Sequence, residues 1–174
     1  MSTTAGTLNG VDLDTIGELA QQLAGDPEAD KSIWSASTTW TGAFTSASHA
    51  HEHAPILSDE PKLLAGGGTA PNRVEYLLAS LGSCLAVGYA ASAAVRGIEL
   101  RSVELELSGT VDLRVFLGLA EGHAGYERIE VTASVESDAD DAALQALHEH
   151  VVNTSPVGNT IEHPVELQAR LVRR

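Results

Sequence analysis

The chain contains one cysteine, Cys84, within the stretch that has the strongest helical pattern. Around it, apolar and small residues recur at alternating steps of four and three positions, so they form one stripe of a helix. The stripe consists of Leu77, Leu81, Cys84, Gly88 and Ala91. A side chain on such a stripe faces a core or a partner, and the small residues after Cys84 allow close approach near Gly88. Cys84 is therefore either a reactive thiol or a small buried hydrophobic residue.

Glu75 is an acidic residue near the start of the same helix. Asn72 lies three positions earlier, which is the spacing of a capping box with Asn in place of Ser or Thr. Glu75 therefore either caps the helix or assists the thiol. Nine residues separate it from Cys84, which is half a turn out of phase on an ideal helix. A role beside the thiol requires a bend, for example near Gly82, or a partner subunit.

Three histidines, His49, His51 and His53, alternate beside Glu52. On a strand they would share one face, where a divalent metal is conceivable. Ligands on alternate positions of one strand rarely converge on one ion, so we favour a solvated strand or loop. No metal and no cofactor are predicted. His148 and His150 are interpreted as surface residues of a helix.

Two further motifs are interpreted structurally. Ser155 precedes Pro156, which predicts an N-cap with proline at the first helical position. The glycine run from Gly66 to Gly68 predicts a flexible loop, and anion binding through its backbone amides is the alternative.

The composition limits the class of partner. The 174 residues fit one domain, or one domain with an arm, and carry 24 acidic and 10 basic residues, a net charge of −14. This charge repels nucleic acid and anionic membrane surfaces, so neither partner is predicted. We expect no membrane span and no signal peptide. With a single cysteine and no export signal, the expected location is the reducing cytoplasm.

The order of elements predicts an α+β fold. Residues 1–30 are predicted to form a helical arm with Asp12 or Asp14 as cap, and residues 31–174 the main domain. Within the domain we expect two early strands, the long helix from Asn72 to Val95 or Arg96, two strands meeting near Gly109, another strand, a second helix and a final strand. The second helix spans 138–152 and the final strand contains Val165, Leu167, Ala169 and Leu171.

An ordered set of motifs between residues 33 and 172 resembles the OsmC/Ohr superfamily. The motifs are Asp59-Glu60-Pro61 with the glycine run, the helix segment from Glu75 to Cys84, Arg96 to Leu100, Gly118 to Tyr126, and Ser155 to Asn159. The resemblance implies an OsmC-like α+β fold in which antiparallel sheets pack around a long central helix and a second helix. It also implies an intertwined homodimer with active sites at the subunit interface.

The resemblance also implies chemistry. Peroxidase members attack a hydroperoxide with a cysteine on the central helix and resolve the product with a second cysteine, assisted by an arginine and a glutamate. Cys84 matches the attacking cysteine and Glu75 the glutamate by position, whereas Ser155 replaces the second cysteine. The early strands contain no arginine, so Arg73, Arg101 and Arg114 are the arginines to examine.

Two functions follow from this pattern. In the first, the protein is a thiol-dependent stress protein in which Cys84 reduces a small apolar substrate such as an organic hydroperoxide. A low-molecular-weight thiol, or Cys84 of the second subunit, then serves as reductant. In the second, it is a non-catalytic protein that binds a small molecule or accumulates under stress and has lost peroxidase turnover.

Overall fold

The structure, a computed structural model, describes residues 6–25 and 32–173. Its strands are β1 Thr7–Leu8, β2 Val11–Asp12, β3 Ser37–Gly42, β4 Thr45–His49, β5 Ile56–Ser58, β6 Leu100–Val111 and β7 Tyr126–Ser137. Its helices are α1 Leu13–Gly25, α2 Arg73–Val95, α3 Leu113–Phe116, α4 Asp141–Thr154 and α5 Pro156–Glu162. The pairs β3–β4, β4–β5 and β6–β7 are antiparallel. The predicted α+β class, with antiparallel sheets and a long helix, is confirmed.

The described chain divides into two compact units. The core unit comprises residues 6–11 and the chain from Ser80 onwards, and the strand unit comprises Asp12–Ala79. Helix α2 contributes to both. The predicted boundary between arm and domain, at residues 30 and 31, lies outside the described residues, so that division stays a prediction.

The hydrophobic core lies in the core unit. Helix α2 buries Leu81, Leu85 and Tyr89, which recur every fourth residue and so share one face. They pack with Leu147 and Val151 of α4. Alternate residues of the β6–β7 sheet complete the cluster, among them Val103, Leu105, Leu107, Ala133 and Val135. The long helix is therefore held between a two-stranded sheet and a second helix.

Two glycines allow this close packing. A Cβ at Gly82 would lie 2.9 Å from Leu107 Cδ1, and one at Gly88 would lie 3.0 Å from Val151 Cγ1. The small residues after Cys84 predicted a close neighbour near Gly88, and Val151 is that neighbour.

The predicted pair of strands meeting at Gly109 is wrong, because β6 is one strand paired with β7 from Leu100 to Val111. Gly109 lies within this strand opposite Ile129, and a Cβ there would lie 2.6 Å from Tyr126 Cδ1. The glycine makes room for a neighbouring ring and does not mark a turn. The chain leaves the strand at Asp112, which caps α3.

The predicted final strand is also absent from the described chain. Its apolar residues Val165, Leu167 and Leu171 are 65%, 90% and 96% exposed, and the segment has no strand neighbour there. Alternation specifies a face, but a strand also needs a partner for its backbone hydrogen bonds.

The N-terminal helix begins as predicted. Asp12 Oδ1 accepts hydrogen bonds from the backbone N–H groups of Asp14 and Thr15, so Asp12 is the cap. These bonds, those from Thr15 above all, lower the pKa of Asp12. Before the helix, Asn9 donates to the Ile98 carbonyl and accepts from the Leu100 N–H, both at 2.9 Å. Asn9 therefore fastens the N-terminal segment to the start of β6.

Helix α2 is long and apolar enough to span a membrane, whereas no such segment was expected from the sequence. This holds for Arg73–Val95 by length and composition alone. The core helix of a soluble protein can have the same length and apolar composition. Five of its residues are buried against the rest of the chain: Leu81, Leu85, Tyr89, Ala93 and Ala94.

Candidate functional site

Cys84 and Ser155 face each other across the core unit. Cys84 is half-buried on α2, and its Sγ lies 3.2 Å from the Ser155 hydroxyl. The two residues are 71 positions apart in sequence. The residue that the resemblance aligned with the second cysteine is therefore in contact with the sulfur.

Ser155 is fixed from both sides because it joins two helices. It is the C-cap of α4 and the N-cap of α5, with Pro156 at the first helical position as predicted. Its hydroxyl accepts a hydrogen bond from the Gly158 N–H at 3.0 Å. Only 4% of the residue is exposed. The hydroxyl beside the thiol is thus held by local backbone structure.

Glu75 forms the predicted capping box. The Asn72 N–H donates to Glu75 Oε2 at 2.8 Å, and the Glu75 N–H donates to Asn72 Oδ1 at 2.9 Å. This reciprocal pair satisfies two backbone N–H groups at the start of α2. The structure places the Glu75 side chain in the capping role, while any assistance to the thiol stays a proposal.

The glycine run closes a loop around a carboxylate. Asp59, which is 2% exposed, accepts hydrogen bonds from the Glu60 N–H and from the N–H and hydroxyl of Thr69. These bonds, Thr69's first, and one from the Gly67 N–H lower the pKa of Asp59. The amides of the loop therefore bind the chain's own carboxylate. These hydrogen bonds hold the loop in one arrangement, in contrast to the predicted flexibility.

The three arginines singled out by sequence all pair with carboxylates. Arg73 pairs with Glu60 and also donates to the Phe44 carbonyl, within the strand unit. Arg101 pairs with Glu136 and Asp138 across the end of the β6–β7 sheet. Arg114 pairs with Asp112 and lowers the pKa of that carboxyl to about 2. Within the described ranges, Cys84 has no recorded hydrogen bond to an arginine.

The histidine motif does not form a metal site in the described chain. His49 ends β4, and His51 has a positive φ of 51°, which breaks the expected alternation along one strand face. Residues 6–25 and 32–173 contain no group of three or more His, Cys, Asp or Glu side chains that could hold a metal ion.

His148 was wrongly interpreted as a surface residue. It is half-buried, and its Nδ1 lies 2.5 Å from the hydroxyl of Tyr89, which is 1% exposed. Burial raises the pKa of Tyr89. The tautomer of the imidazole determines which of the two groups donates the hydrogen bond. The i, i+4 pattern of Leu81, Leu85 and Tyr89 was a usable signal for the burial of Tyr89, but nothing local pointed to its partner.

A depression of about 420 Å³ lies beside this pair, lined by Tyr89, His148, Leu144 and Asp141 among others. Cys84 is not one of its lining residues. It is therefore separate from the thiol.

Comparison with known proteins identifies the fold. The OsmC-like protein family model matches residues 66–170. An OsmC-like protein from Mycoplasma pneumoniae superposes with a TM-score of 0.65 at 15% identity, over 76% of this chain and 89% of that one. An organic hydroperoxide resistance protein from Legionella pneumophila superposes with a TM-score of 0.56 at 17% identity, over 75% of this chain and 91% of that one. OhrB of Bacillus subtilis, also an organic hydroperoxide resistance protein, superposes with a TM-score of 0.50 at 20% identity, over 74% of this chain and 90% of that one.

A search of curated proteins found no match. The family match spans more than half of the chain and includes α2, Cys84 and Ser155. The solved structures share the arrangement of strands and helices along most of their length. The chain belongs to the OsmC-like protein family.

Proposed function

We propose that the protein is a thiol-dependent peroxidase of the cytoplasm that reduces organic hydroperoxides through Cys84, with an external low-molecular-weight thiol as reductant. The observation that carries the proposal is the contact of Cys84 with Ser155, the two residues that the resemblance matches to the two cysteines of peroxidase members. Family membership and the names of the Legionella and Bacillus relatives support the substrate class. A half-buried thiol is accessible to a small molecule yet sheltered from bulk water.

The proposed chemistry requires two external thiols at every turnover. The Cys84 thiolate attacks the terminal oxygen of the hydroperoxide, the O–O bond breaks, and the alkoxide leaves and takes a proton from water. Cys84 is then a sulfenic acid. One external thiol condenses with it to a mixed disulfide and water, and a second external thiol releases Cys84 and leaves as the oxidised disulfide. Ser155 cannot replace these thiols because a hydroxyl does not form a disulfide.

When no thiol is present, we expect purified protein to consume one equivalent of cumene hydroperoxide per chain in forming the sulfenic acid, and one more for each further step of oxidation, without turning over. Excess peroxide should then drive Cys84 irreversibly to the sulfinic acid, and an added monothiol should restore repeated turnover. Peroxide consumption, dimedone trapping of the sulfenic acid and intact-mass spectrometry measure these outcomes. Cys84→Ser is the control and should consume nothing. A wild-type Cys84 that never reacts would instead support the non-catalytic function.

A variant of Glu75 tests whether this residue assists the thiol or only caps the helix. Glu75→Gln keeps the capping-box acceptor but removes the charge, because glutamine serves at this position as well. Unchanged turnover in this variant would assign Glu75 to the cap alone. A fall in rate with unchanged thermal stability would support the proposed assistance to the thiol.

We also propose that the protein is a homodimer with its active sites at the subunit interface. In the described part of the strand unit no apolar side chain is buried, and large ones are exposed: Trp34, Trp40, Phe44, Ile56, Leu57 and Leu63. Helix α2 leaves Val87 and Val95 more than 60% exposed. Apolar surface on this scale is typical of an association surface. The alternating segment from Val165 to Leu171 also lacks a strand neighbour within the described chain.

We expect light scattering after size exclusion to give twice the chain mass of 18.2 kDa. The reason is that burial of this apolar surface favours association by roughly 25 cal/mol per Å². A monomer that persists at micromolar concentration would contradict the proposal, and so would an oligomer of another size.

A further inference from the structure

The Ser155 hydroxyl has a single proton, and the structure restricts where that proton points. A serine hydroxyl has one donor and two acceptor lone pairs. The Gly158 N–H occupies one lone pair at 3.0 Å, and the remaining recorded partner is Cys84 Sγ at 3.2 Å. No other acceptor for this proton is recorded among the described residues. If the thiol donated instead, the hydroxyl proton would be buried without an acceptor, which native structures avoid.

We infer that Ser155 donates its hydroxyl hydrogen bond to the Cys84 sulfur and stabilises the thiolate, which makes it a catalytic residue in place of a resolving one. This inference rests on the proposed function, because it concerns the reactivity of the same sulfur. A hydrogen bond to an ionised acceptor is stronger than one to the neutral group, so the donor favours the thiolate over the thiol.

The position of the donor is set before the sulfur ionises. The Ser155 carbonyl accepts from the Asn159 N–H at 2.9 Å, while the hydroxyl is held by Gly158. A donor fixed in this way stabilises developing charge without reorganising. Arg73, Arg101 and Arg114, the arginines considered from the sequence, are each paired with carboxylates. Among the described residues, the Ser155 hydroxyl is thus the group whose contact with Cys84 Sγ favours the thiolate.

The test is the pH dependence of Cys84 alkylation by iodoacetamide, which reports the fraction of thiolate and requires no peroxide chemistry. In Ser155→Ala we expect the midpoint of the pH–rate profile to rise by about one pH unit, a roughly tenfold slower rate at any pH below it. The plateau at high pH should stay within about twofold of wild type, because the thiolate itself is unchanged. Ser155→Thr keeps the hydroxyl and should restore the wild-type midpoint.

Loss of the helix cap is controlled separately. Asp140 caps α4 by accepting from the Ala143 N–H at 2.8 Å and has no recorded bond to Cys84 or Ser155. Asp140→Ala should therefore lower stability and leave the midpoint unchanged. Ser155→Gly is the second variant if Ser155→Ala does not fold, because glycine is tolerated at N-caps.

An unchanged midpoint in both hydroxyl-free variants would overturn the inference, as would an equal shift in Asp140→Ala. These outcomes differ from failure of the proposed function. In that case wild-type Cys84 would resist hydroperoxide, whatever the alkylation profiles of the variants.

Discussion

Replacing Ser155 with cysteine should convert the protein from one that needs an external monothiol into one that closes an intrachain disulfide. The new sulfur would occupy the position of a hydroxyl already 3.2 Å from Cys84 Sγ, and a bond of about 2 Å needs only a small further approach. After hydroperoxide treatment, intact mass should show loss of two hydrogen atoms per chain and no added oxygen. A dithiol should then support repeated turnover. Because the crosslink closes a loop of 71 residues, it should stabilise the oxidised form by about 4 kcal/mol.

The matched control for this variant is Thr154→Cys. Thr154 is the preceding residue, is exposed, and its hydroxyl donates to the His150 carbonyl of its own helix. The second thiol is then present but directed elsewhere, and the product should carry oxygen. If Ser155→Cys also gains oxygen while remaining folded, the two side chains do not meet in solution as the structure has them.

The largest loss of stability is expected from Gly66→Ala. A Cβ at Gly66 would lie 1.9 Å from the Glu60 carbonyl oxygen and 2.4 Å from its carbon, so backbone rather than a flexible side chain must move. The movement would pull apart the loop that closes around Asp59. We expect a cost of about 3 kcal/mol, and a fall in melting temperature of about 6–12 °C. Thermal melting followed by circular dichroism measures it.

Gly17→Ala is the same substitution in the same unit and should act in the opposite direction. Gly17 lies inside α1, and nothing is within 4 Å of the position of its Cβ. Alanine there favours the helix by up to about 1 kcal/mol. Equal melting temperatures for Gly66→Ala and wild type would show that the loop can relax around the added methyl group.

The parts of the fold that the sequence predicted best depend on local rules. Helix α2 ends at Val95, one of the two predicted ends. Gly97, two residues later, adopts the left-handed φ of 71° that the end of a helix favours. Asn72 and Glu75 form their capping box across three residues. In each case the residues that determine the structure lie within one turn of each other.

The parts that were missed depend on residues far apart in sequence. The glycine run predicted flexibility, but a carboxylate several residues before it orders the loop. Tyr89 and His148 are 59 positions apart, and no periodicity relates them. The family resemblance alone matched Ser155 to the second cysteine, because spacing cannot reveal a contact between residues 71 positions apart. The final strand failed for the related reason that the described chain gives this segment no neighbouring strand.

The hydrogen bonds of Asn9 set an order of events during synthesis. Asn9 leaves the ribosome about 90 residues ahead of Ile98 and Leu100, the partners that it binds through its side-chain amide. At typical rates of translation this delay is on the order of 5–20 s. Throughout that interval the amide has only water or transient partners. The turn that carries Asn9 can form early, but it reaches its partners only after the long helix has been made and β6 has begun. A segment translated well before its partners is thus fixed in place only when they appear.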